Sequence, residues 1–153
     1  MDRLDPMNAQ ILLQVYDLRR EEKLRHARAW LMGSFWAENL EEFEMVCPAG
    51  SPENAYFRMV TGYWDMVASI VNRGLLDEDL YFENNQEGLM VWLRVKKVTV
   101  ALREARKNPL FLRNLESLSV KHEQWFDTRA PGALAEAKKR FAAMRQKPEP
   151  LER

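Results

Sequence analysis

Residues 65–83, DMVASIVNRGLLDEDLYFE, set an apolar run against Asn-Arg-Gly, two leucines and three consecutive acids. How that junction is read decides the fold. Gly74 stands where a helix ends in a left-handed residue, and Leu75 after it is placed to fold back on the last turn. Asp77 then predicts an N-cap for EDLYFEN, with Glu78 and Asp79 in the first turn, where carboxylates meet the positive end of the helix dipole. A calcium loop would want glycine at its sixth position, and Phe82 stands there. The acids therefore read as helix punctuation, and the stretch as helix, turn, helix.

Working outward, the same punctuation recurs. Ser51-Pro52 predicts a helix from residue 51 to Arg73, and its apolar residues cover more than half the circumference, which makes it the most buried one. Upstream, Asp5-Pro6 opens a helix that nothing but Gly33 interrupts before about Val46, so it reads as one long helix or two in line. Along it Ile11, Val15, Leu18, Ala29, Met32, Trp36 and Phe43 form a seam, with a second line of Leu13, Leu24, Leu31 and Phe35 on another side. Glu22 and Arg25 fall inside the seam, where polar residues fix register or partner choice at some cost in stability. They mark helix one as projecting from the bundle or pairing with its copy.

Downstream, a helix from about Gln86 to Lys107 carries a stripe of Val91, Val95, Val98, Leu102 and Ala105. Leu89, Leu93 and Val100 lie on its far side as candidates for self-association. Asn108-Pro109 opens the next helix, with Leu112, Leu115, Leu118 and His122 inward, and a thinly apolar one spans about Pro131 to Lys147. The expected fold is all-α, a single domain over residues 1–153. It is an irregular bundle of five or six helices built on a long N-terminal helix, with flexible ends at 1–5 and 148–153.

Tyr63, Trp64 and Asp65, then Gly74, Leu75, Leu76 and Asp77, then Trp92 and Arg103 form a pattern of aromatic-acid, Gly-Leu-Leu-acid turn, and a later tryptophan and arginine. From Tyr56 to Leu118 the chain thereby resembles a family of uncharacterised bacterial helical proteins, a domain of unknown function. The resemblance implies a helical fold and brings no activity. It also implies a membrane-spanning N-terminal helix in some members, whereas no run here approaches the roughly 18 apolar residues of a span.

Composition excludes more than it selects. The 153 residues include 23 basic and 23 acidic side chains, 30% charged and 46% hydrophobic, a balance of neither disorder nor a polyanion binder. Cys47 is the single cysteine, which rules out an intrachain disulfide and fits a reducing compartment; the expected location is cytoplasmic. No glycine-rich phosphate loop, nucleophile elbow or metal spacing is present. A di-iron bundle needs Glu-x-x-His, and the residues three before His26 and His122 are Lys23 and Ser119. Both histidines read as surface or interface residues. No catalytic, cofactor or metal site is expected.

The candidate functional positions are few. Arg58 and Asp65 stand seven apart on the polar edge of the buried helix, the first place for a cleft, with Arg103 as a partner for Asp65. Glu22 and Arg25 follow from the seam, and Trp30 is the tryptophan placed at an interface. Basic blocks at Arg19–Arg28, Lys96–Lys107 and Lys138–Lys147 read as solvated faces. The expected function is a non-catalytic protein-interaction module, its partner itself as a homo-oligomer or another protein. Nucleic-acid association through the basic faces is the alternative, and an enzyme of unknown type the third.

Overall fold

The computed structural model describes residues 3–144, all helix, turn and irregular chain with no strand among them. Eight helices follow in order: α1 Met7–Arg19, α2 Glu22–Ser34, α3 Leu40–Val46, α4 Pro52–Asn72, α5 Glu78–Asn84, α6 Glu87–Ala105, α7 Arg113–Arg129 and α8 Ala133–Ala143. The all-α expectation holds; the count of five or six does not. The flexible end expected at 148–153, the first two residues of the one expected at 1–5, and Arg145 and Lys147 of the last basic block lie outside the described residues.

The extra helices come from the N-terminal segment, which is three helices and neither one long helix nor two in line. Glu21 leaves the helical region at φ −54°, ψ 137°, and its carboxylate accepts the N–H groups of Lys23 (3.1 Å) and Leu24 (2.8 Å). Those bonds hold its acid below the usual carboxylate range. Phe35 turns extended and fully buried, and Asn39 then caps α3 by accepting from Glu42 N–H at 2.8 Å. Each break resets the helical phase, so the seam counted through Leu18 and Ala29 does not exist. Leu24, Ala27, Leu31 and Phe35 face the core instead, and Glu22 and Arg25 simply face solvent.

Helix α4 is the centre of the packing, lying chiefly against α7 and α2. Its start and stop follow the local chemistry. Ser51 Oγ accepts from Asn54 N–H at 3.1 Å, and Gly74 takes φ +75° while Leu75 N–H reaches back to Ile70 O at 3.1 Å. The residue that folds inward is Leu76, fully buried, and not Leu75, which is 59% exposed. Asp77 Oδ2 accepts from Leu80 N–H at 2.9 Å and opens α5 as its cap.

One apolar cluster runs from Val15 to Leu118 through Phe35, Phe57 and Trp64. The first turn of α6 packs closely on α4 and α5 at Gly88, where a Cβ would stand 2.7 Å from the Tyr81 hydroxyl and 3.0 Å from Trp64 Cε3. Two sequence expectations for the second half fail. Leu89, placed on the outer side of its helix, is 1% exposed. Helix α7 starts at Arg113 and not at Asn108-Pro109: Arg103 Nε donates to Phe111 O at 2.7 Å and Leu112 is buried at φ 55°, so tertiary contacts hold 108–112 as a turn.

Candidate interaction site

The expected Arg58–Asp65–Arg103 cleft does not form. Leu112 precedes α7 without a side-chain cap, and Asp65 supplies one from α4: its Oδ1 accepts Leu115 N–H at 2.9 Å, at the third residue of the helix. Asp65 is thus a cap delivered in trans. Arg103 pairs with Glu116 at 3.1 Å instead, its guanidinium 5.8 Å from the Trp92 ring centre, and Arg58 is exposed with Nε on Asn54 Oδ1 at 3.0 Å. All three residues serve helix ends and neighbours.

Glu22, Arg25 and Trp30 do share a region. Glu22 and Arg25 line an open groove of about 770 Å³ between α2 and α4, with His26, Ala29, Tyr56 and Met59. His26 and Tyr56 meet edge to face at 5.1 Å, and Trp30, half-buried behind them, lies 5.8 Å from Tyr56 and 5.9 Å from Phe35. The groove has an apolar floor and charged rims, a surface suited to protein contact more than to enclosing a small molecule.

A second surface was hidden by the one-helix reading. In α1 the inward residues are Asn8, Ile11, Leu12, Val15 and Arg19, a narrow stripe. About 120° round the helix from that stripe, on the flank beside α5, Pro6, Ala9, Leu13, Tyr16 and Arg20 follow at spacings of three, four, three and four, and all are exposed, Leu13 at 65% and Tyr16 at 49%. That is the spacing of a helix–helix seam. The guanidinium carbons of Arg19 and Arg20 lie 5.3 and 5.4 Å from the Tyr16 ring centre. Beside the stripe a cleft of about 280 Å³ opens between α1 and the end of α5, lined by Leu12, Leu13, Tyr16, Arg19, Asn84 and Asn85. Counted as one helix through position 20, the segment puts Leu13 on a buried line; its cap at Glu21 was the signal that would have separated it.

The reactive side chains are elsewhere, and buried. His122 follows the inward placement of its helix stripe and not the reading as a surface or interface histidine: it is 1% exposed and stacked between Phe82 (4.3 Å) and Phe126 (5.2 Å), and burial pushes its pKa down to about 4. Burial pushes the Cys47 thiol up to about 12. The acids of the opening stretch are engaged: Glu78 with Lys121 at 3.4 Å, Asp79 with Arg129 at 3.3 Å and with Trp125 Nε1 at 3.1 Å. The basic blocks are interleaved with carboxylates, as in Arg28–Glu87 at 2.7 Å, Lys97–Glu38 and Lys138–Glu123 at 3.4 Å each. Among the described residues no helix is long and apolar enough to cross a membrane, and no group of His, Cys, Asp or Glu is placed to hold a metal.

The family model described as a domain of unknown function (DUF4760) matches residues 6–122, from the first turn of α1 to His122 in α7. No curated protein and no solved structure matches the chain.

Proposed function

The chain belongs to the DUF4760 family, a description that brings no activity with it, and we propose from its geometry that it is a non-catalytic protein-interaction module working through the outer face of α1. The observation that carries this is the exposed Leu13–Tyr16 stripe at seam spacing on a short helix whose inward stripe is already packed. Its neighbours support it. The groove between α2 and α4 is open and shallow, and His122 and Cys47, two of the side chains most able to do chemistry, are sealed in the core.

The test is affinity capture from cell extract with immobilised wild-type protein and with the variant Leu13→Glu/Tyr16→Glu. The expected result is a partner, another protein or the chain itself, held by the wild type and lost by a variant that melts normally. Equal capture by both removes α1 from the reading. Tight binding of random duplex DNA that falls steeply with salt would replace the reading with the nucleic-acid one.

A further inference from the structure

We propose that the partner seated on α1 is a second copy of this chain, docked antiparallel across a two-fold axis near Leu13; this rests on the interaction reading above and names its occupant. Three features of the face are self-complementary. Leu13 and Tyr16 project as knobs directly beside the cleft formed with Asn84 and Asn85, so one surface carries both the knob and the hole that a two-fold contact requires. The seam contains one small position, Ala9, on the N-terminal side of Leu13 and one large one, Tyr16, on the C-terminal side. Reversing one helix against the other sets small against large, and a parallel pair would set Tyr16 against itself.

Charge selects the same direction. Asp5 precedes Pro6 at the N-terminal end of the stripe, with Arg3 beside it, and Arg20 stands at the C-terminal end, followed by Glu21, whose carboxylate is held by the Lys23 and Leu24 amides. An antiparallel pair brings Arg20 to the partner's Asp5, whereas a parallel pair stacks Arg20 on Arg20. The helix dipoles also oppose favourably only in the antiparallel arrangement. Thirteen residues at about 1.5 Å each make α1 only ~20 Å long. The interface therefore falls near the low end of the range for specific contacts, about 1,000 Å² in total, and the dimer is reversible and concentration-dependent.

The experiment is sedimentation equilibrium of the full chain from low micromolar to submillimolar concentration, beside Leu13→Glu, whose side chain stands outside the core. The expected result is a monomer–dimer equilibrium weakened about tenfold or more by Leu13→Glu, with an unchanged thermal melt. Oxidative cross-linking then reads direction. Leu13→Cys should give a covalent dimer, and Arg20→Cys should not, because antiparallel copies of position 20 lie roughly 20 Å apart; buried Cys47 does not interfere. A chain monomeric at every concentration, a dimer indifferent to Leu13→Glu, or efficient cross-linking through Arg20→Cys each overturns the proposal. A monomer that still loses a different captured protein in the Leu13→Glu/Tyr16→Glu variant sinks the self-pairing and leaves the interaction reading standing. A monomer whose capture is unaffected by that variant sinks both.

Discussion

Acidification should destabilise this protein through His122 before most carboxylates begin to titrate. The imidazole is 1% exposed, lies between the rings of Phe82 and Phe126 at interplanar angles of 21° and 14°, and its Nε2 is buried without a hydrogen-bond partner. Nothing there solvates an imidazolium, and desolvation lowers the pKa from its ordinary 6.5 to about 4. The unfolded chain binds a proton near 6.5 and the folded chain only near 4. Between those values the unfolded state holds more protons, so stability is fully present above pH 6.5 and falls as pH drops toward 4. At about 1.36 kcal/mol per unit the whole window is worth roughly 3 kcal/mol, of which about 2 kcal/mol is lost by pH 5. Against a typical stability of about 5–15 kcal/mol that is readily measured. Urea unfolding at 25 °C from pH 7 to pH 5 is the assay, with His122→Leu as the comparison. The parent should lose about 2 kcal/mol over that range and the variant should be nearly flat. If His122→Leu keeps the parental slope, burial of the neutral ring is not the cause and the argument is wrong.

Asp65→Ala should cost about 1 kcal/mol and lower the melting temperature by about 2–4 °C, because α7 loses its only described side-chain cap; Asp65→Asn keeps an acceptor oxygen and should recover most of it by calorimetry. Gly88→Ala should destabilise by about 1–3 kcal/mol in chemical unfolding, since the new methyl meets Tyr81 and Trp64 in the core. Glu21→Ala should speed hydrogen exchange at the amides of Lys23 and Leu24 while leaving that of α4 unchanged. In the parent the same amides should lose protection as pH falls through the depressed Glu21 range.

The elements legible in the sequence are those whose ends are made by adjacent residues. Ser51-Pro52, Gly74 and Asp77 each satisfy a backbone group within three or four positions, so their chemistry is visible without the fold. The junction at Glu21 is equally local, yet it uses glutamate, a good helix former that is rarely a cap, and the pattern counted through it yields one helix. The start of α7 was not legible at all, because its cap comes from Asp65, fifty positions away, and Arg103 holds the preceding turn. The candidate site suffers most from the first error. Once helix phase is carried across Glu21, Leu13 joins a buried line and Glu22 and Arg25 become anomalies in a seam; with the phase reset, Leu13 is exposed and those two need no special account.

The attachment of α1 also explains how a surface stripe can stay ordered on so little packing. A thirteen-residue helix is marginal by itself in water, and this one buries only Val15 fully. Three polar anchors supplement it. Asp77 N–H donates to Asn8 Oδ1 at 2.7 Å, Arg28 Nη1 donates to Arg19 O at 2.9 Å, and the Tyr63 hydroxyl donates to Val15 O in the middle. Burial raises the Tyr63 pKa to about 12, which keeps that hydroxyl protonated and able to donate at any physiological pH. Tyr63→Phe removes the central anchor without altering the outer face, so α1 amides should exchange faster and self-association should weaken, while global stability falls by only about 1 kcal/mol. A variant that loosens α1 yet associates as the parent does would show that the stripe's order is irrelevant to pairing. One that changes neither would show that the apolar contacts of Ile11, Leu12 and Val15 hold the helix alone.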